Sequence, residues 1–210
     1  SSFAFIEANP RLQVEHTVTE EVLGIDIVRL QLQIAGGKTL AQLGLTQDKV
    51  PAQRGMALQA RINMETMAAD GSARPGGGTL SAFDPPSGPG VRVDTFGYTG
   101  YRTSARFDSL LAKLIVHVSD ASLSAVAAKA YRALSEFRIA GAPTNLSFLQ
   151  NLLRHPDVLA GKGHTRLVEE KIGELIAGTH RPLYFDDSAG TRRAGARVDS
   201  VDPLAVLALG

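Results

Sequence analysis

The chain has 210 residues with 44% apolar and 20% charged side chains and a formal net charge of +1. That apolar content suffices for one large or two small packed domains, and the near-neutral balance argues against nucleic acid as a partner. The absence of cysteine excludes disulfides and thiolate metal sites, and no apolar run is long enough to cross a membrane. The first residues lack the basic and apolar regions of a signal peptide, so a cytoplasmic location is expected. The chain starts almost inside a strand, as a cut segment would.

Phe3 to Ile6 is short, aromatic and β-branched, which predicts a strand ended by Pro10, a residue unable to donate to a sheet ladder. Beyond the proline, Arg11, Gln13 and Glu15 alternate with Leu12 and Val14, so an extended backbone would place the three polar side chains on one face. With Glu7, Asn9 and His16, this concentrates chemically capable side chains in one short stretch. Glu7 and Asn9 offer hard oxygens of the kind magnesium takes alongside nucleotide phosphates. Arg11 offers a planar fork for a small oxyanion, and Glu15, kept ionised by such a cation, is a candidate general base. The competing reading is a solvated edge strand whose charges pair with one another.

Thr17 and Glu20 form a capping-box pattern, and Val18, Val22, Ile25, Val28 and Leu32 follow at helical spacing until Gly36–Gly37. One helix is therefore expected directly behind the site strand. Leu40 to Leu45 predicts a further helical turn, and Pro51 a boundary. The middle of the chain predicts strands. Leu58, Ala60 and Ile62 alternate with Gln59, Arg61 and Asn63, giving a strand with one wet face. RPGGG at Arg74 to Gly78 is followed by the apolar run Thr79 to Phe83. It lacks the GK[ST] ending of a phosphate loop and precedes no helix, so it reads as a turn. A second turn, Asp84 to Gly90, leads into the strand Val91 to Thr95, where Arg92 has Asp94 as its ordinary partner. Leu110 to Val118 is a buried strand interrupted by Lys113 and His117, the lysine read as snorkelling.

The last third predicts three helices: from Ser122 through Phe137, from a Thr144 cap through Leu153, and from Thr165 through Leu175. Asp186 to Arg197 is polar, small and aperiodic, as a linker is, and Val198 to Gly210 regains apolar residues. The histidines lack ligand spacing and no serine or cysteine nucleophile accompanies them, which weighs against a zinc site or a hydrolase.

The string IEANPRLQVEHTVTEE resembles the end of the ATP-grasp domain of biotin carboxylases. RGMALQARINMET, GPGVRVDTFGYTGY and FDSLLAKLIVHV resemble the C-terminal domain of the same family, so the similarity covers about residues 3 to 177. The resemblance implies an α+β chain: the end of an ATP-grasp domain over 1–48, a β-rich biotin carboxylase C-terminal domain with packed helices over 49–178, and a linker toward a carrier domain over 179–210. It implies a ligase that forms carboxyphosphate from ATP and bicarbonate and passes the carboxyl group to N1 of biotin. Implied cofactors are ATP, magnesium or manganese, and biotin supplied by a carrier domain, since no biotinylation motif lies in the chain.

Position by position, the resemblance assigns Glu7 and Asn9 to the metal. It assigns Arg11 to bicarbonate, with Gln13 and the Val14 backbone beside it, and makes Glu15 the base that removes the bicarbonate proton. Arg92 becomes the cation that stabilises the biotin enolate, a role a permanent charge suits. The implied partners are the N-terminal half of a biotin carboxylase, which holds the ATP-binding lysines and the mobile lid, a biotin carboxyl carrier domain, a carboxyltransferase domain, and a second copy in a homodimer. Without that N-terminal half the chain alone is expected to be inactive. RINMET and SGPGVRVDTFGYTGYRTS lean toward an acetyl- or propionyl-CoA carboxylase rather than a pyruvate carboxylase. The sequence departs from the family at Ser104 to Phe107, where many relatives carry two prolines and two aromatics. It departs again at Met56 and Gln59, which replace a common histidine and glutamate. Two other readings stand beside this one: a non-catalytic module for carrier docking or oligomerisation, and another ATP-grasp ligase such as a carbamoyl-phosphate synthase.

Overall fold

Two alternating segments flanking one strand buried on both faces build the sheet on which the rest of the chain is arranged. The computed structural model describes residues 4–104 and 108–184. In chain order the elements begin with α1 (His16–Leu23), α2 (Ile27–Ala35), β1 (Met56–Asn63), β2 (Glu65–Met67), β3 (Ala73–Pro75), β4 (Ala82–Asp84) and β5 (Val91–Thr95). They continue with β6 (Leu110–Val118), α3 (Leu123–Glu136), β7 (Arg138–Ala140), α4 (Leu146–Arg154), α5 (Pro156–Leu159) and α6 (Leu167–Leu175). The fold class is α+β, as expected.

The main sheet has the order β1-β6-β5 and is antiparallel throughout. Its register sets two faces. Ala60 lies opposite Leu114 and Leu114 opposite Val93; Leu58 lies opposite Val116 and Val116 opposite Val91. These side chains share one face with the α3 stripe Val126, Ala130, Leu134 and Phe137, and together they form the buried core. Each fully buried aliphatic in it contributes about 1.5–3 kcal/mol of transfer free energy. The other face carries the rows Arg61–Lys113–Asp94 and Gln59–Ile115–Arg92, and α1 lies across it. Thr17, fully buried, donates its hydroxyl to Gln59 Oε1 there.

The glycine-rich stretch is a packing turn. Gly76 N donates to Met64 O at 2.9 Å, and a Cβ on Gly78 would run into the Gly141 carbonyl. That close approach lets β4 pair with β7. α3 begins at Ser122, whose hydroxyl accepts from Ala125 N at 3.3 Å.

Several sequence expectations are corrected. Residues 4–10 form no strand: Phe5 and Ile6 are 81% and 89% exposed, and among the described residues no strand lies beside them to satisfy an extended backbone. The alternation through Arg11, Gln13 and Glu15 is broken because Val14 and Glu15 turn into α1, with Val18 N donating to Glu15 O at 3.1 Å. The single helix expected after Thr17 is two helices. Gly24 at φ +67° ends α1, and Asp26 caps α2 by accepting from Arg29 N at 2.7 Å. Thr17 therefore caps nothing. Nor does Thr144 or Thr165: the caps of α4 and α6 fall at Asn145 and Arg166. Asn145 instead ties to β1, accepting from Asn63 N at 3.0 Å and donating to Arg61 O at 3.1 Å. Leu40 to Gly44 form turns rather than a helix. The chain past Gly178 is still attached, with Leu183 N donating to Ser135 O at 2.8 Å. The expected linker 186–197, the apolar tail after it, and Ala105 to Phe107 lie outside the described residues. Among the described residues, no helix is long and apolar enough to cross a membrane.

Candidate functional site

The polar face of the sheet collects charges from both halves of the chain. Arg92 stands at its centre on β5. Its Nε donates to Asp94 Oδ1 at 2.8 Å, its Nη2 to Asp94 Oδ2 at 3.1 Å, and its Nη1 to Glu20 Oε2 at 3.0 Å. Glu21 adds a longer contact at 3.6 Å. Glu20, only 8% exposed, uses its other oxygen to accept from Ile27 N at 2.9 Å and so also fastens the α1–α2 junction. The hydrogen bond to Asp94, then that to Glu20, raises the Arg92 pKa further above its usual value, against the opposing effect of burial. Burial pushes Asp94 up, but hydrogen bonds from Arg92 and Lys113 outweigh it and hold the carboxyl below its usual range.

Lys113 is not snorkelling. Its side chain is 13% exposed, its Nζ lies 3.1 Å from Asp94 Oδ2, and it reaches the Val14 carbonyl at 3.4 Å. A buried ammonium in an apolar strand needs acceptors, and both lie on the face under α1. His16 makes a parallel link: its Nδ1 is 2.7 Å from Gln13 O and its Nε2 3.9 Å from Glu20 Oε2. An open cleft of about 690 Å³ lies beside this network, between His16, Glu20, Glu21 and Asp26 on one side and Arg54 and Arg92 on the other.

The other predicted residues are distributed as follows. Glu7 and Asn9 sit on the exposed leading segment, where Asn9 Nδ2 donates to Glu7 Oε1 at 3.0 Å. Arg11 is exposed. Glu15 pairs with Arg61 of β1 at 3.3 Å, both side chains being more than half exposed, so the pair contributes little to stability. Gln13 is part-buried and its Nε2 is a buried donor without a hydrogen-bond partner among the described residues. The structure thus links Val14 to Arg92 through Lys113 and Asp94, while Glu7, Asn9 and Arg11 stay on the exposed approach. The cleft includes Arg92 but none of Glu7, Asn9, Arg11, Gln13 or Glu15.

The sequence reading missed Glu20, Lys113 and Arg61. Lys113 had a usable signal, since a charge amid LLAKLIVHV demands a partner, and Asp94 was the acid that strand pairing would set opposite it.

The donor chemistry permits a test of fit. Among the described residues, no three His, Cys, Asp or Glu side chains converge as a metal centre. Glu7 and Asn9 fit a magnesium ion whose remaining ligands are phosphate and water, rather than a closed protein cage. The orphaned Gln13 amide fits an anion acceptor, because a buried donor left unpaired costs about 1–3 kcal/mol.

Comparison with known proteins identifies the family. Residues 59–170 match the biotin carboxylase C-terminal domain, and residues 1–43 match the ATP-binding domain of the carbamoyl-phosphate synthase L chain. The chain belongs to the biotin carboxylase C-terminal domain family, preceded by a segment of ATP-grasp type. It is 44% identical over 174 residues to a pyruvate carboxylase from Aspergillus terreus, a match covering 82% of the chain and 14% of that enzyme. A single-chain, multi-domain long-chain acyl-CoA carboxylase is similar in structure, with 50% identity and a TM-score of 0.78 over 84% of the chain and 19% of its own. The biotin carboxylase domain of the Hydrogenobacter thermophilus 2-oxoglutarate carboxylase, solved as a dimer with MgADP, ADP and bicarbonate, gives 34% identity and a TM-score of 0.72. That match covers 80% of the chain and 35% of the other. The chain therefore spans a small part of its relatives.

The lean toward an acetyl- or propionyl-CoA enzyme is corrected: the curated relatives favour pyruvate carboxylase. The strings behind that lean lie in the matched biotin carboxylase region.

Proposed function

We propose that the chain supplies the bicarbonate- and biotin-facing side of a biotin carboxylase acting within a larger biotin-dependent carboxylase. The observation that carries this reading is the buried Gln13 amide, without a partner among the described residues and set between exposed Arg11 and the Val14 turn. Arg11 and Gln13 bind the anion through charge-assisted and amide hydrogen bonds. Glu15 takes the bicarbonate proton onto its carboxylate, with Arg61 holding it in place. Arg92 has five N–H donors and gives three of them to Asp94 and Glu20; with Glu21 3.6 Å from Nη1, the second Nη2 hydrogen is the one left for the ureido oxygen of biotin. Its neighbours fix the plane of the fork and its charge favours the deprotonated ureido group.

Bound magnesium would be held by Glu7 and Asn9 and would neutralise charge on the nucleotide phosphates. The Hydrogenobacter relative was solved with MgADP, ADP and bicarbonate, which supports ATP, magnesium and bicarbonate as the ligands here. Biotin arrives on a carrier domain. The chain divides at about residue 48 into the ATP-grasp end and the biotin carboxylase C-terminal domain, with carrier and carboxyltransferase domains and a second copy as partners and the cytoplasm as location. The acceptor is left open among keto acids and acyl-CoA esters, because relatives of both kinds share this region. The carbamoyl-phosphate synthase reading is weaker, since its match stops at residue 43 and the biotin carboxylase match begins at 59.

The test uses a complete carboxylase carrying this chain, assayed for bicarbonate-dependent ATP cleavage with free biotin. Glu15→Gln and Arg92→Ala are expected to abolish biotin-dependent turnover with folding intact. Unchanged turnover would move the chain to the docking or assembly reading. The isolated 210-residue chain is expected neither to bind MgATP in a calorimetric titration nor to turn over.

A further inference from the structure

We infer that Lys113 is a positioning residue that sets the spacing between the Val14 backbone and the Arg92 guanidinium, the two groups that would face bicarbonate and biotin. The inference rests on the roles proposed above for those two groups.

The geometry offers a path of three contacts, Val14 to Lys113, Lys113 to Asp94 and Asp94 to Arg92. Lys113 Nζ reaches the Val14 carbonyl at 3.4 Å and Asp94 Oδ2 at 3.1 Å, and Asp94 holds Arg92 through both of its oxygens at 2.8 and 3.1 Å. Lys113 sits near the middle of the central strand, paired with Arg61 on one side and Asp94 on the other, so its backbone is held from both sides. Val14, by contrast, lies in a turn without a ladder of its own. A rigid cation between a turn carbonyl and a carboxylate fixes both. The alternative link, Gln13 O to His16 to Glu20, includes a 3.9 Å contact that is ionic only when His16 is protonated. The lysine link has no contact longer than 3.4 Å, so it is the tighter of the two. A merely structural lysine would need acceptors too, but nothing would require one of them to be the turn that carries the anion-facing backbone.

The experiment measures apparent KM for bicarbonate and kcat with free biotin in the complete carboxylase. Lys113→Met is expected to worsen both together, each by about ten- to a hundredfold, the scale of an ångström's misplacement. Lys113→Arg is expected to recover most of the loss. Asp94→Asn cuts only the Arg92 arm, so it should lower kcat and leave the bicarbonate KM near wild type. Adding it to Lys113→Met should lower kcat little further, because both act on one path.

The inference is overturned if Lys113→Met keeps both constants within about twofold of wild type while Arg11→Ala and Arg92→Ala are disabling, or if the two substitutions act additively. If Lys113→Met fails to fold, Asp94→Asn decides alone: reduced kcat with unchanged bicarbonate KM supports the path, and unchanged kcat removes it. If Arg11→Ala and Arg92→Ala are themselves harmless, the parent reading has failed and takes this one with it.

Discussion

Arg92 and Glu20 stand 72 positions apart in the chain and 3.0 Å apart in space. The contact joins the segment matching an ATP-binding domain to the segment matching the biotin carboxylase C-terminal domain. Glu20 is also the acceptor for Ile27 N. Glu20→Ala should therefore destabilise the chain by about 1–3 kcal/mol, chiefly by leaving a part-buried N–H unpaired. Glu20→Gln, which keeps an acceptor for Ile27, should cost about half as much. Urea titrations of the three proteins would rank them. Equal stability would mean that Ile27 N finds water.

Gly141 provides a sharper test of the turn assigned to RPGGG. Its φ is +91°, and a Cβ there would strike the Thr79 carbonyl and Ser81 N. Gly141→Ala combines left-handed backbone strain with a steric clash, so a loss of about 2–4 kcal/mol is expected, with unpairing of β4 from β7. Thermal melting together with hydrogen exchange at Ser81 N, which donates to Ala140 O at 2.9 Å, would detect both.

His180 gives a pH dependence. Burial lowers its pKa from 6.5, so the folded protein holds the ring neutral while the unfolded chain takes up the proton first. Stability from this site is complete above the ordinary value of 6.5 and is lost progressively as pH falls from there through the folded value. The ring Nδ1 lies 3.1 Å from Gln150 Oε1, which also accepts from Arg181 N at 2.9 Å, so Nδ1 is the donor and its proton is spoken for. His180→Asn should flatten the stability profile below pH about 6.5. A profile with the same slope in both proteins would place the titration elsewhere.

Phe137 closes α3 at zero exposure, and its ring meets Phe83 of β4 edge-on at 5.4 Å. Phe137→Ala should cost about 3–5 kcal/mol, the range for an aromatic removed from a closed core. Phe137→Leu should cost less than half of that, with the midpoint of chemical denaturation as the readout.

The parts of the fold legible in the sequence were those governed by a single period. Leu58, Ala60 and Ile62 gave β1, LLAKLIVHV gave β6, and the stripe from Leu123 to Phe137 gave α3, because burial on one face imposes repeats of 2.0 and 3.6. What escaped was decided by other parts of the chain. The apolar period runs on through Gly24 and Ile25, so the break between α1 and α2 left no mark in it. Thr17 and Glu20 match a capping box, yet each is claimed by a residue of the sheet, Gln59 and Arg92. At the candidate site, the one ion pair read correctly from sequence was Arg92 with Asp94, two residues away. The pairing of Glu15 with Arg61 spans 46 positions and required the sheet register. The leading segment, Phe5 to Arg11, carries residues of strong motif character on exposed, irregular backbone, where spacing alone described a strand.

The seating of α1 on the polar face also bears on how the chain tolerates a break. The connection from Gly44 to Gln53 is turns and irregular backbone, largely exposed, whereas the two stretches it connects are fastened by Thr17 to Gln59, Val14 to Lys113 and Glu20 to Arg92. A protease cut near Asp48 should then leave two peptides that still run together on a sizing column. Separately expressed pieces divided at that point should find one another when mixed, and high salt should loosen them more than detergent does.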